Sequence, residues 1–205
     1  MKEDIKKLLL TMHEMANTAE TGISLLQTAF IYNSTEPLNE CIAAAGIIKN
    51  SEPDLTKSIT GMAKNNPELA PYVSVPAHLI RIGEDIEKLA ELMDKKIKDN
   101  ILFSDRAITE ITFLLQRLVD IIRPTADIIL AKNTIMRRYI EESESGIVKR
   151  ATEYATLHEE RLIEGLCLPV ASSIYVTMLD AIKNIAWHAK EIAIKLVEWS
   201  LPRAK

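Results

Sequence analysis

Apolar residues recur every three or four positions along nearly the whole chain, which is the spacing of one face of an α-helix. The first series comprises Ile5, Leu8, Leu9, Met12, Met15, Ala19, Ile23, Leu26 and Phe30. After this first helix, over 3–32, comparable series predict helices over residues 36–65, 77–98, 105–132, 134–165 and 169–199. No stretch shows the strict alternation of a half-buried strand. The pattern therefore predicts an all-α fold of six long helices.

Prolines and polar residues interrupt these series. Pro53 and Pro124 lie within two of the predicted helices, where a proline removes a backbone donor and clashes with the preceding turn. We therefore expect a kink at each, or at Pro53 two shorter helices with Ser51 as the N-cap. Ser104 is suited to cap the fourth helix. An irregular start of the third helix is predicted by Pro67, Pro71 and Pro76.

The second half of the chain repeats the first at an offset of 103 residues. On this offset Tyr72-Val73-Ser74-Val75 falls on Tyr175-Val176-Thr177-Met178, and Arg81-Ile82-Gly83 falls on Asn184-Ile185-Ala186. Twice the offset nearly equals the length of 205 residues, so one supersecondary block is used twice. We assign residues 1–101 to the first block and 102–205 to the second. Because no Gly/Ser-rich linker separates them, we predict two docked antiparallel three-helix bundles.

The composition narrows the classes of function. Hydrophobic residues make up 47% of the chain and aromatic residues only 5%, so we expect an aliphatic core of packed helices. The formal net charge of −4 argues against nucleic-acid binding, because that requires a dense positive face. No uninterrupted apolar run reaches about 18 residues, so no membrane span is expected.

The cysteines and the start of the chain indicate a compartment. Cys41 and Cys167 match no zinc-binding spacing and lie in apolar runs, so we expect two buried free thiols. The first residues, Met1-Lys2-Glu3-Asp4, carry acids and lead into an amphipathic series, unlike a signal peptide. A cytoplasmic protein is therefore predicted.

Strings that carry common catalytic chemistry are missing from the sequence. It has no nucleophile elbow, no phosphate-binding loop and no glycine string for a dinucleotide. No histidine follows a glutamate at the i, i+3 spacing of di-iron helix bundles. We therefore expect a protein that is not an enzyme.

The most distinctive residues lie on the third helix of each block. The string from His78 to Glu91 contains Arg81-Ile82-Gly83-Glu84-Asp85, and the string from Leu179 to Ala193 contains Asn184-Ile185-Ala186-Trp187-His188. Both strings resemble the repeated L-E-R-I-G-D-H-A-x-N-I-A-E signature of PhoU-type proteins. The run His158-Glu159-Glu160-Arg161-Leu162 is similar to the corresponding stretch of PhoU-like domains attached to sodium/phosphate cotransporters. The resemblance extends over the whole chain.

This resemblance implies a fold and a function. PhoU-like proteins consist of two three-helix repeats related by a pseudo-two-fold axis. They act in the cytoplasm as negative regulators of phosphate uptake, through a phosphate transporter and a sensor kinase. We therefore expect a regulator of inorganic phosphate transport or phosphate signalling that contacts a transporter subunit, a sensor kinase or both. Long amphipathic helices that leave apolar stripes exposed also suggest a homodimer.

Several PhoU-like proteins hold clusters of a transition metal such as iron or zinc, so the resemblance also raises the question of a metal. The family motif is an acid, three residues and then Asp, which places two carboxylates on one helix face. Here Ile80 replaces the leading acid of the first copy, although Glu84 keeps the second. Lys183 and Trp187 replace both acids of the second copy, and neither side chain ligates as a carboxylate does. The resemblance thus implies iron or zinc as a cofactor, whereas the altered acid positions argue against it.

The candidate site residues follow from these strings. The metal-ligand candidates are Glu84, Asp85, Glu87, His158 and His188. Arg81 and Arg161 are candidates for contact with a partner protein, or for an ordinary ion pair within the chain. A metal-binding helical protein and a regulator of a different ion transporter remain the alternative functions.

Overall fold

The computed structural model describes residues 2–198, and every regular element in that range is helical. The helices are α1 (Lys2–Tyr32), α2 (Glu36–Ala63), α3 (Val75–Lys98), α4 (Asp105–Ala131), α5 (Thr134–Ile163) and α6 (Pro169–Glu198). A short 3₁₀ helix, Pro67–Tyr72, connects α2 to α3. The predicted all-α fold of six long helices is confirmed, while the predicted end of the sixth helix at Trp199 lies outside the described residues. None of the helices in this range is long and apolar enough to cross a membrane.

The predicted division of the second helix into two shorter helices at Pro53 is wrong. α2 continues through Pro53, as α4 does through Pro124. The Ser51 hydroxyl donates to the Ile47 carbonyl at 2.8 Å within the helix, so Ser51 is not an N-cap. Burial of Leu55 and Ile59 on the following turns favours the continuous helix against the helix-breaking cost of proline.

Two helix starts are capped by side chains. The Ser104 hydroxyl accepts a hydrogen bond from the Ala107 amide at 3.3 Å, as the sequence predicts. Asn133, which the sequence analysis did not single out, caps α5 by accepting from the amides of Ile135 and Met136. Each cap satisfies amides that have no partner within the helix.

One aliphatic core runs through both halves of the chain. Within the first half α1 packs against α2 and α3, and within the second half α4 packs against α5 and α6. The halves meet where α1 packs against α4 and α3 against α6. Fully buried residues on these four helices include Ile23, Ile86, Ile121, Ile185 and Ile192. The two blocks are therefore docked, and their buried residues form one continuous core.

Contacts between α1 and α4 follow the symmetry of the repeat. Glu20 and Arg123 are 103 positions apart, so they are repeat equivalents, and they form an ion pair of 2.7 Å with each other. Gln27 lies seven residues after Glu20 and Gln116 seven residues before Arg123, and their side chains are 3.1 Å apart. Equivalent residues that meet each other mark a two-fold axis. The pseudo-two-fold therefore passes near Glu20 and Arg123.

Residue pairs between α3 and α6 are also related by the repeat symmetry. Burial raises the pKa of the Asp85 carboxyl and Asn184 partly offsets this rise, while burial, His78 and then the charge of Arg81 lower the pKa of His188. Arg81 is the repeat equivalent of Asn184, and Asp85 is the equivalent of His188. Each of these two contacts is thus the symmetry counterpart of the other. The block boundaries at residues 101 and 102 remain a prediction, because the end of the second block lies outside the described residues.

Gly83 allows α2 and α3 to approach closely, and this generates a stability prediction. A Cβ on Gly83 would lie 3.3 Å from Ile48 Cγ2, whereas a Cβ on Gly61 would meet nothing within 4 Å. We expect Gly83→Leu to lower the free energy of unfolding by about 1–3 kcal/mol through overpacking. The matched control Gly61→Leu should raise it by roughly 0.8 kcal/mol through helix propensity. Urea unfolding measures both, and equal stability of the two variants would contradict the close approach.

Candidate functional site

The two strings that carry the PhoU resemblance face each other across α3 and α6. These helices run antiparallel, because His78 near the start of α3 contacts Lys195 near the end of α6. Between these ends the imidazoles of His78 and His188 meet, with 2.9 Å between their Nδ1 atoms. The structure therefore joins His188 to His78, which was not among the metal-ligand candidates.

The hydrogen bonds of this histidine pair determine its tautomers. Lys195 Nζ is 3.0 Å from His78 Nε2, and since an ammonium group only donates, His78 Nε2 is the acceptor. The proton of a neutral His78 then sits on Nδ1 and is donated to Nδ1 of His188. Trp187 contacts the edges of both rings. Both imidazoles are thus held neutral in one arrangement.

Burial lowers the pKa of both histidines. The pKa of His78 falls to about 4, mainly through desolvation and then through the charge of Lys195. The pKa of His188 also falls to about 4, again mainly through desolvation and then through His78 itself. Protonation of either ring removes an acceptor from the pair and places a charge beside Lys195 or the other imidazole.

The acidic candidates on α3 are not gathered into one site. Glu84 forms an ion pair of 2.7 Å with Arg81 on the same helix, and both side chains are substantially exposed. Asp85 is half-buried beside Asn184, and burial raises the pKa of its carboxyl. Glu87, one turn further on, is also half-buried.

These placements do not fit a metal cluster of the PhoU type. Among residues 2–198 no group of three or more His, Cys, Asp or Glu side chains is placed to hold a metal ion. In the second copy of the motif, Lys183 pairs with Asp180 at 2.8 Å, so a cation already stands where a carboxylate ligand is needed.

Arg161 lies inside the molecule, unlike the exposed Arg81. Its guanidinium makes two hydrogen bonds to the Glu110 carboxylate, at 3.0 and 2.8 Å, and links α5 to α4. The Tyr175 hydroxyl from α6 donates to the same carboxylate. These partners use Arg161 within the chain and do not present it to another protein. This network carries no pattern in the sequence, because Glu110 and Arg161 are 51 positions apart.

His158 lies beside this network and is only 2% exposed. Its ring stacks on Tyr175 with 4.4 Å between the ring centroids, and its Nδ1 is 4.0 Å from Cys167 Sγ. Its Nε2 has no hydrogen-bond partner among the described residues. Burial lowers the pKa of this imidazole, and the charge of Arg161 adds to the effect. His158 and His188 therefore belong to two separate clusters.

The predicted burial of both thiols is correct only for Cys41. Cys41 is fully buried, and burial raises its pKa to about 12. Cys167 is only half-buried, because it follows the end of α5 in the connection to α6 rather than lying on a core face of a helix. The thiol of Cys167 lines a cavity of about 250 Å³ that also includes the rings of His158 and Tyr175.

Comparisons with known proteins support the fold. No family model matches the chain, and no curated protein matches it either. Among solved structures, the chain is similar to the crystal structure of PhoU from Pseudomonas aeruginosa, with a TM-score of 0.83. The similarity covers 97% of this chain and 96% of that one at 14% sequence identity. The protein therefore has the PhoU-like fold that the sequence resemblance predicts, and at this identity the likeness establishes the fold alone.

The buried pair of Glu110 and Arg161 generates a second stability prediction. Arg161→Leu leaves the Glu110 carboxylate in the interior without its cationic partner, so we expect a loss of about 3–5 kcal/mol in the free energy of unfolding. The double variant Arg161→Leu/Glu110→Leu should recover part of this loss, because no unpaired charge remains. Arg138→Leu, at an exposed pair with Glu142, is the control and should leave stability nearly unchanged. A double variant that is additive in urea unfolding would contradict the pairing.

The two histidines at the α3–α6 interface predict a pH dependence of stability. Their native pKa values of about 4 lie below the ordinary value of 6.5, so the unfolded chain binds more protons between these limits. The free energy of unfolding should therefore fall as the pH decreases from about 6.5 to about 4. His188→Gln should make this dependence shallower, as measured by urea unfolding across the range. An unchanged slope in the variant would show that the pair does not titrate as described.

Proposed function

We propose that this protein regulates inorganic phosphate transport or phosphate signalling by contact with other proteins. The observation that carries the proposal is the PhoU-like fold over nearly the full length of the chain. The resemblance of the strings on α3 and α6 to the PhoU signature is an independent argument, because it depends on residues rather than on backbone geometry. The proposed partners are a phosphate transporter subunit, a sensor kinase or both.

An exposed aliphatic surface at the loop end of the second half suits such a contact. We call it the loop patch and define it by Leu102, Leu166 and Leu168, which are 79%, 66% and 59% exposed and line the mouth of the 250 Å³ cavity. Ile163 and Val170 are also exposed and flank these leucines along the chain. Clustered exposed apolar side chains commonly mark protein interaction sites. We propose that the loop patch contacts the partner.

The proposed role is regulatory and not enzymatic, and it is exerted in the cytoplasm. The sequence lacks the strings of common catalytic sites, and the polar clusters of the described residues are engaged with one another at the α3–α6 interface or behind the cavity. Arg81 is exposed on α3 and is a second proposed contact residue, since its pairing with Glu84 is a surface ion pair of small energetic weight.

Two alternative functions, metal binding and regulation of a different ion transporter, can be distinguished from the proposed one by experiment. Stoichiometric iron or zinc in the purified protein, lost in Glu84→Ala, would favour a metal-binding protein. An effect on a different ion with phosphate uptake unchanged would favour a regulator of another transporter. A stable dimer in light scattering, abolished by charges in the loop patch, would make a second copy of this chain the occupant of the patch. No feature of the described residues favours these alternatives over the phosphate role.

The loop patch gives the functional prediction. Deletion of the gene should alter phosphate uptake and phosphate-responsive expression, and the variant Leu166→Glu/Leu168→Glu should fail to restore them. The reason is that two carboxylates on the contact surface must be desolvated when the partner binds. The measurement is the uptake of labelled phosphate in strains that produce equal amounts of each variant.

Ile135→Glu is the matched control. Ile135 is 78% exposed and lies at the start of α5, whereas the loop patch lies beyond its other end, about 45 Å away at 1.5 Å per residue. This variant should restore wild-type uptake. A deletion strain with unchanged uptake and unchanged expression would refute the function. Full restoration by the patch variant would refute the proposed contact surface alone.

A further inference from the structure

We propose that the groove between α4 and α5 binds an acidic amphipathic helix of a partner protein. We call it the α4–α5 groove and define its centre by Phe113 and Arg117 on α4 and by Gly146, Lys149 and Arg150 on α5. These residues line an open cavity of about 330 Å³. The groove lies along the two helices, whereas the loop patch lies in the segments before α4 and after α5. The chemistry of this partner is inferred from the groove and does not depend on the phosphate role proposed above.

The groove extends over most of the length of both helices. Toward the start of α4, Arg106, Tyr154 and Leu157 line another cavity of about 410 Å³. Toward the end of α4, Tyr139 lines a cavity of about 260 Å³. Tyr139 and Leu157 are 18 positions apart on α5. At 1.5 Å per residue this spacing is about 27 Å, which is long enough for a docked helix of about five turns.

The groove exists because α5 buries few apolar side chains. The apolar residues that α5 buries are Ile140, Ile147 and Ala151. Its counterpart in the first half, α2, buries a longer apolar series, which comprises Leu38, Cys41, Ala44, Ala45, Ile48, Leu55 and Ile59. α5 therefore packs less extensively against α4 than α2 does against α1, and Phe113 on α4 remains 42% exposed.

The centre of the groove offers a place for an apolar anchor. Ile147 and the exposed ring of Phe113 line the cavity there. A Cβ on Gly146 would meet nothing within 4 Å, so the lack of a side chain leaves this space open. Glycine inside a helix is less favourable than alanine, which the first half has at the equivalent position, Ala43. Amphipathic helices bind such grooves through apolar anchors spaced three and four residues apart.

The rim of the groove carries an excess of cations. Arg117, Lys149 and Arg150 line the central cavity together with one acid, Glu153. Arg117 pairs with Asp120 at 3.1 Å and Arg150 with Glu153 at 3.0 Å, each within one helix and through one Nη1 atom. A guanidinium carries five donors, so both arginines keep donors for the carboxylates of a partner. Exposed pairs of this kind contribute little, so they do not prevent such contacts.

The repeat shows that the fold does not require these cations. Arg117, Lys149 and Arg150 align, in that order, with residues of the first half that carry no positive charge, namely Glu14, Gly46 and Ile47. The chain as a whole has a formal net charge of −4, so it repels an acidic segment on average and attracts it at this groove. Complementary charge of this kind determines where a partner docks.

The test measures the binding of a fluorescently labelled peptide to the full-length chain. The probe is a helix-forming peptide of about 18 residues of alanine, glutamate and leucine, with the leucines three and four positions apart. The control peptide has lysine in place of every glutamate. Fluorescence anisotropy at low salt should give a roughly tenfold or greater preference for the acidic peptide. At about 1 M salt the Debye length falls to about 3 Å, so the preference should largely disappear.

Charge-reversal variants test whether the peptide contacts the rim. Arg117→Glu/Arg150→Glu should lower the affinity for the acidic peptide by roughly tenfold or more, because attraction becomes repulsion. Lys49→Glu/Lys57→Glu is the matched control, since it makes the same change in net charge at exposed positions of α2. Among the described residues α2 contacts neither α4 nor α5, so this variant should keep nearly the wild-type affinity.

A second pair of variants tests the groove without a change of charge. Gly146→Leu fills the central cavity at a position with open space, so the fold is retained and binding of the acidic peptide should be abolished. Gly61→Leu, at an open position of α2, should leave binding unchanged. Equal affinity for the two peptides, no binding of the acidic peptide at about 1 mM, or full binding by Gly146→Leu would overturn the proposal. Binding of phosphatidylglycerol vesicles in place of the peptide would overturn the helical partner and assign the groove to a lipid surface.

Discussion

The burial of aliphatic side chains between the two halves, in one fixed register, is the constraint on which this structure depends. α1 against α4 and α3 against α6 form an interior shared by both halves, and neither half encloses its own core. The ion pair between the repeat equivalents Glu20 and Arg123 marks the centre of that register. The Arg123 side chain is largely exposed, so this ion pair contributes little to stability. The apolar contacts around it hold the two halves together.

The same symmetry shows where the two halves differ. The first half closes its tyrosine position with a backbone hydrogen bond from Tyr72 and an aliphatic Leu55. The second half places Glu110, Arg161 and Tyr175 in a buried network, with His158 stacked beside it. Buried ion pairs add little net stability compared with apolar packing. The second half therefore holds a polar network where the first half is closed by an aliphatic side chain and a backbone hydrogen bond.

Much of the fold was predictable, because helical periodicity and an internal repeat are local properties of a sequence. The six helices and the cap at Ser104 follow from residues near one another in the chain. The continuity of α2 through Pro53 was not predictable in this way. There the burial of neighbouring residues outweighs a local preference.

The candidate sites were less predictable, because they form between residues that are distant in sequence. His188 was singled out by its string, but its contact with His78 spans 110 positions and carries no pattern in the sequence. Arg161 was a candidate either for partner contact or for an ion pair within the chain, and the pattern could not decide between them because its partner Glu110 lies on another helix. The repeat offset could have predicted the burial of His158. It aligns His158 with Leu55, so a polar residue occupies a position where the first half has a core residue.

Scanning calorimetry of the full chain tests the central claim of a shared core most directly. Because the halves bury their apolar faces against each other, they should unfold in one transition whose calorimetric enthalpy equals the van't Hoff enthalpy. Two separate transitions, or a calorimetric enthalpy well above the van't Hoff value, would show that each half is stable by itself and would contradict the shared core.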